Sequence, residues 1–287
     1  MTNPLPAGIP TALPRWQTQI FGLVHTILIK FSRVYNRNWG KSNIQGFPGL
    51  FVLPFGLLIK SHERTTEEEA QSMRLARKLG IPVPRCISYG YYNGRGSILM
   101  TRINGYTVGE VYPQATEEQK AQFKLELTSL LATLRSWSPP AQLGNSICSV
   151  FGGPVWSYRI PPEISGPWDS EAAFIETMSI GMNTTQSGGK DTASPVREIP
   201  SRPHRVVFTH GDLFDHNILV DENCHILAVI DWATAAWMPE WWEYAVALRM
   251  PSSRWARLMT EIGGAQYEWE LTRDRFIIDH WVDAFRY

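Results

Sequence analysis

The sequence predicts an α+β chain in two lobes, a small antiparallel sheet with a helix followed by a larger, mainly helical lobe. Three observations carry this. The chain has 287 residues, more than one small core needs. Its first hundred residues hold short apolar runs broken by Gly and Pro. After Arg102 the pattern turns to long helical periodicity. Hydrophobic residues make up 44% of the chain, enough for a sizeable core. The expected division is residues 1–102 and 103–287.

The N-terminal elements read in order. "IFGLVHTILIKF" (Ile20 to Phe31) is apolar but too short to span a bilayer, and His25 and Lys30 lie inside it. It reads as an amphipathic helix lying on the rest of the protein, with a membrane-surface helix as the weaker alternative. "LFVLPFGLLIK" (Leu50 to Lys60) reads as two strands around a Pro54-Phe55-Gly56 turn. "TTEEEAQSMRLARKLG" has Thr before three acids, basic residues near its end and Gly80 as the stop, so it reads as a helix. Pro82 and Pro84 enforce extended geometry, and "GSILMTRI" looks like a buried strand.

In the second lobe, "ATEEQKAQFKLELTSLLATLRSW" is a long helix with a capping box of Thr116 and Gln119. Pro139 to Pro203 reads as irregular, with Thr177 to His204 a long loop rich in Ser, Thr and Gly. The last fifty residues return to helical patterning and are dense in Trp. The tryptophans read as packing rather than a substrate platform.

Bulk charge excludes some functions. The formal net charge is +0, which leaves no footprint for nucleic acid. The three cysteines are scattered, with neither a disulfide framework nor metal-ligand spacing, and suit a reducing, cytoplasmic setting. The start of the chain lacks a signal-peptide pattern. A monomer or weak homodimer is expected.

The chemistry concentrates in "FTHGDLFDHNILVDENCHILAVIDWATAAW", Phe208 to Trp237. "NILVDENCHILAVID" has the form of a β-hairpin, with Asp221 to Cys224 as its turn. Asn217 and Asp231 flank its open end and should converge. Asp212 lies five residues before Asn217, in a loop that begins His210-Gly211. Two carboxylates and an amide oxygen suit a hard cation such as Mg²⁺. A transition-metal site at His210 and His216 is the weaker reading, because no cysteine or helical spacing supports it.

These residues resemble the catalytic segment of the aminoglycoside phosphotransferase and choline kinase superfamily, in its fungal branch. "HGDLFDHN" is similar to the family's His-Gly-Asp-x-x-x-x-Asn loop and "IDW" to its metal aspartate. "LPFGLLIK", "EAQSMRLARKLGIPVPR", "ILMTRINGYTVGEV" and "MPEWWEYAVALR" fit the same pattern, so the likeness covers roughly residues 45 to 250. It implies a two-lobed protein-kinase-like fold and a kinase acting on a small-molecule hydroxyl with ATP or GTP and Mg²⁺. Lys60 would contact the nucleotide phosphates. Glu67, Glu68 and Glu69 are all candidates for its partner. The family pattern "EA" selects Glu69, which shares a helix face with Met73 and Ala76, and Glu68 is the fallback. Leu99 to Ile103, with Met100 and Arg102, would be the hinge whose backbone pairs with the base. Asp212 would orient and deprotonate the acceptor, His210 would brace its loop, and Asn217 and Asp231 would hold Mg²⁺.

Two departures stand out. "GKSNIQGFPG" lacks the order of a glycine-rich phosphate loop, and "DWATAAW" carries Ala233 where an acid is common and Ala236 where glycine is common. Two rivals follow. One is acid–base chemistry other than phosphoryl transfer on the same scaffold, and the other a binding module without turnover.

Overall fold

The computed structural model describes residues 8–38, 48–160, 165–180 and 202–279. Along the chain run α1 (Arg15–Asn38), β1 (Leu50–Leu53), β2 (Leu57–Lys60), α2 (Glu67–Lys78), β3 (Cys86–Tyr92), β4 (Arg95–Thr101), β5 (Tyr106–Thr107) and α3 (Val108–Val111). Then come α4 (Glu117–Arg135), β6 (Cys148–Ser149), α5 (Glu171–Ile180), β7 (Val206–Thr209), β8 (Ile218–Val220) and β9 (Ile226–Val229). The last elements are β10 (Ala236–Pro239), α6 (Trp242–Ala247), α7 (Arg254–Ile262) and α8 (Glu268–Asp279).

The described residues group into two compact units. One comprises Pro10–Lys120 and His216–Ala233, so it includes the β8–β9 hairpin; the other comprises the rest.

The first unit is built on an antiparallel sheet of order β1-β2-β4-β3. The Pro54-Phe55-Gly56 turn reverses the chain with Phe55 at φ 61° and Gly56 at φ 66°, a geometry that a two-strand twist favours. α2 starts at its N-cap Thr66, whose hydroxyl accepts the Glu69 N–H at 3.2 Å. It ends before Gly80, at φ 85°. Its buried face carries Glu69, Ala70, Met73 and Ala76, α2 packs on β3, and Ile59 and Ile98 of the sheet are fully buried.

α1 packs on β3, β1 and β4. The approach is backbone to backbone at Gly22 and Gly90. A Cβ on Gly90 would lie 2.2 Å from the Gly22 nitrogen, so no larger residue fits. His25, fully buried, reaches the Ser97 hydroxyl with Nδ1 and the Ser88 hydroxyl with Nε2, each at 2.8 Å. The Ser32 hydroxyl donates to the Val52 carbonyl at 2.6 Å. The helix expected over residues 20–31 is therefore longer, and its histidine is part of the packing.

The second unit holds a three-stranded sheet of order β6-β10-β7 and the C-terminal helices. α4 begins with the expected box. Thr116 N–H donates to Gln119 Oε1 at 2.9 Å, and Gln119 N–H to the Thr116 hydroxyl at 3.3 Å. Phe123, Leu127, Leu131 and Leu134 of α4 are buried. Trp168, Phe174, Trp241 and Trp242 form one aromatic cluster with ring centroids 5.0–6.4 Å apart. These tryptophans are core, as expected, whereas Trp156 is 37% exposed.

One reading needs correction. Pro139 to Pro203 is not irregular throughout, because Glu171–Ile180 is helical. Ser170 caps it, accepting the Ala173 N–H at 3.2 Å, and Phe174 and Met178 are buried. The short apolar segment "AAFIETMSI" shows little helical alternation, which hid it among loop residues. Most of the expected Thr177–His204 loop, and most of "GKSNIQGFPG", lie outside the described residues.

Candidate active site

In the first unit, Lys60 ends β2, opposite Ile98 of the central strand β4. Its Nζ lies 2.7 Å from Glu69 Oε1 and 2.7 Å from Asp231 Oδ1. One cation thus bridges two carboxylates of different character. Glu69 is buried, whereas the Asp231 side chain is 45% exposed. Of the three candidate glutamates, Glu69 meets the lysine. Glu67 instead accepts the Leu13 N–H at 2.6 Å.

The electrostatics follow from burial. Desolvation pulls the Lys60 ammonium down, but Glu69 and Asp231 outweigh it and hold the pKa above its ordinary value. Desolvation pushes the Glu69 carboxyl up to about 7 against the pull of Lys60. The pair costs desolvation, and its cation faces an exposed carboxylate.

Asp231 and Asn217 stand at the open end of the hairpin. β8 and β9 pair antiparallel with Ile218 opposite Val229. The Ile230 N–H then donates to the Asn217 carbonyl at 2.9 Å, which sets the two residues side by side. Asp231 adopts φ 61°, the left-handed region that is uncommon for a non-glycine residue, although Asp enters it more readily than most. The Asp221 carboxylate accepts the N–H groups of Asn223 and His225, each at 2.9 Å, and so is a turn residue. Among the described residues, no three His, Cys, Asp or Glu side chains cluster as metal ligands. A carboxylate and an amide at one end of a hairpin are oxygen ligands of the kind Mg²⁺ takes, with its remaining positions left for water and phosphate.

Met100 lies in β4, opposite Leu58 on one side and Cys86 on the other, with its side chain buried. Arg102 follows the strand, and its N–H donates to the Gly56 carbonyl at 2.7 Å. The Thr101 N–H is likewise engaged, by the Arg85 carbonyl at 3.1 Å.

In the second unit, β7 delivers the chain into His210-Gly211-Asp212. The buried Glu243 of α6 organises this turn. Its Oε2 accepts the His210 N–H at 2.8 Å, and its Oε1 accepts those of Gly211 at 3.1 Å and Leu213 at 3.3 Å. Burial pushes the Glu243 carboxyl up to about 7, these three donors oppose that, and nearby Asp212 adds to it. The Asp212 N–H donates to His210 Nδ1 at 3.3 Å, so the fully buried His210 ring braces the loop. Thr234 donates its hydroxyl to the His210 carbonyl at 2.9 Å, and Trp255 its indole N–H to the Leu213 carbonyl at 2.8 Å. Gly211 has φ 79°, and a Cβ there would lie 2.4 Å from the Thr234 carbonyl oxygen. Only glycine meets both demands.

Sequence reasoning passed over Glu243. Its signal was an acid inside the apolar run "WMPEWWEYAVAL", where a buried charge needs several donors. Ala236 sits in the central strand β10, between Thr209 and Ser149. A packed strand interior is a place where alanine serves as well as glycine.

Comparison with known proteins gives the family and the fold. A family model described as "Phosphotransferase enzyme family" matches residues 57–277. No curated protein matches the sequence. Among solved structures, the GDP complex of wild-type aminoglycoside 2'-phosphotransferase-IIIa aligns with a TM-score of 0.55 and 14% identity, over 90% of this chain and 88% of that one. A thermostable variant of aminoglycoside phosphotransferase APH(4)-Ia, with ADP and hygromycin B, aligns with a TM-score of 0.54 and 13% identity, over 80% and 79%. ADP-bound APH(2'')-Ib gives 0.53 and 14%, over 83% of both. At these identities the likeness is one of fold, the kinase-like fold that the sequence implies.

Proposed function

The chain belongs to the phosphotransferase enzyme family, and from that premise we propose that it moves the γ-phosphoryl group of ATP or GTP to a hydroxyl of a small-molecule metabolite. The observation that carries this is Lys60 Nζ, held 2.7 Å from both Glu69 and Asp231. A buried glutamate fixes the cation, and an exposed carboxylate stands beside it. That is the pairing which nucleotide phosphates and their cation require.

Each residue then has a task. Lys60 binds the α- and β-phosphates, and Glu69 keeps its ammonium in place. Asn217 and Asp231 hold Mg²⁺, which when bound neutralises charge on the β- and γ-phosphates. Asp212 orients the acceptor hydroxyl and accepts its proton. His210 and Glu243 act through the loop as positioning residues. The base would pair with backbone groups of the Leu99–Ile103 hinge other than the Thr101 and Arg102 N–H groups, which bond within the fold. The division near residue 102, into a nucleotide-binding and a catalytic part, belongs to the same reading. It is a boundary of function, distinct from the compact units, of which the first runs to Lys120 and includes His216–Ala233.

The similar structures carry ADP or GDP in their descriptions, so both purine nucleotides are candidates here. Hygromycin B accompanies one of them. A formal net charge of +0 favours a neutral or aromatic acceptor over a polycationic one. A cytoplasmic role in secondary metabolism or resistance, as a monomer or weak homodimer, completes the proposal.

Calorimetry tests the nucleotide half directly. ATP and GTP should each be titrated with and without Mg²⁺ into wild type and Asp231→Ala. The proposal expects Mg²⁺-dependent binding of at least one nucleotide, with the Mg²⁺ dependence lost in the variant. A wild type that binds neither nucleotide overturns it. Turnover of a metabolite without any nucleotide would place acid–base chemistry on the scaffold instead.

A further inference from the structure

α1 turns a small and polar face to the sheet, and among the described residues its apolar face is left exposed. Gly22, His25 and Ser32 pack on the sheet. On the opposite face Trp16, Ile20, Leu23, Ile27, Phe31 and Val34 are each 45–65% exposed. Their spacing of i, i+4, i+7, i+11, i+15 and i+18 makes them one continuous stripe along the helix. Scattered exposed hydrophobics need no explanation, but a contiguous stripe marks a docking surface.

The charge beside the stripe selects the partner. α1 contains Arg15, Lys30, Arg33 and Arg37 and no Asp or Glu. Lys30, Arg33 and Arg37, at i, i+3 and i+7, form a row along one edge of the stripe, and all three are exposed. A second copy of the chain would cover the stripe, yet its own α1 brings no acid to this row. An anionic bilayer satisfies both features. The apolar side chains enter the boundary of the acyl region, and the cations reach the head groups. Trp16 adds an amphipathic ring of the kind that favours the interface. No helix among the described residues is long and apolar enough to cross a membrane, so the contact would lie in the surface plane.

We propose that α1 docks the protein on an anionic membrane surface, with the Trp16–Val34 stripe inserted and the Lys30–Arg37 row on the lipid head groups. This does not depend on the phosphotransferase reading.

The full chain should be co-sedimented with vesicles of phosphatidylcholine alone and of phosphatidylcholine with phosphatidylserine. The proposal expects binding that is stronger on the anionic vesicles. Leu23→Glu with Ile27→Glu should lower binding roughly tenfold or more at unchanged Tm, since both side chains already face solvent. Lys30→Glu with Arg37→Glu should remove the preference for phosphatidylserine. Wild type that stays unbound on both vesicle types overturns the proposal. So does binding indifferent to Leu23→Glu with Ile27→Glu, or a vesicle-free dimer that this pair of changes dissociates while vesicle binding is absent.

Discussion

Lys60, Asp212 and Asp231 carry different shares of the proposed reaction, and single substitutions should separate them. Positioning and charge neutralisation dominate phosphoryl transfer, whereas a general base contributes roughly 10²–10⁴-fold. Asp231→Ala should abolish turnover. Asp212→Asn should leave a trace, measurable as a kcat lowered by about that factor with nucleotide affinity retained. Equal residual activity in the two variants would contradict these assignments. His25 makes a separate test, of stability. Burial lowers its pKa from 6.5 to about 4, so the fold holds it neutral between Ser97 and Ser88. A depressed folded pKa means stability that is present above pH 6.5 and lost as pH falls toward about 4. Urea unfolding of wild type and His25→Gln across that window should show up to about 3 kcal/mol of this loss in wild type alone. At this scale the sequence was legible where the family pattern singled out a residue, as it did Glu69 among three candidates, and Glu69 is the one that meets Lys60. It was silent on His25, because a histidine in an apolar helix does not show which hydroxyls will meet it.

The His210–Leu213 turn is held as an element by Glu243 more than by its own backbone. Three N–H groups end on that carboxylate. Glu243→Ala would leave them buried without an acceptor, at about 1–3 kcal/mol each. It should lower stability by several kcal/mol and kcat with it. Glu243→Gln keeps one acceptor oxygen and isolates the charge. Because burial raises the folded pKa from 4.5 to about 7, this acid's contribution is full below pH 4.5 and lost as pH rises through 7. The glutamine variant should lack that decline, which pH-dependent urea unfolding reads. The window overlaps that of His25 with opposite sign, so each must be read as a difference from its own variant. Gly211→Ala should likewise cost activity, since its Cβ would meet the Thr234 carbonyl oxygen. The elements most legible in sequence were those with punctuation. The β8–β9 hairpin announced itself by its turn, α2 by Thr66 and Gly80, and α4 by Thr116 and Gln119. α5 had a serine cap but no clear periodicity, and Glu243 was hidden because its donors come from a turn 30 to 33 residues earlier in the chain.

For the whole molecule, the fold was readable because strand, helix and loop motifs over roughly residues 45 to 250 occur in an order that resembles one family. The family match over residues 57–277 bears that out. The acceptor was not readable, because specificity rests on the shape and polarity of a surface assembled from distant segments. Composition supplies only a bias, a net charge of +0 that argues against a dedicated polycation site. The most direct measurement is mass spectrometry of a metabolite extract incubated with the protein, ATP or GTP, and Mg²⁺. The prediction is a hydroxylated small molecule that gains one phosphoryl group, only when nucleotide and Mg²⁺ are both present and not with Asp231→Ala. A product that forms without nucleotide, or equally with Asp231→Ala, would contradict it.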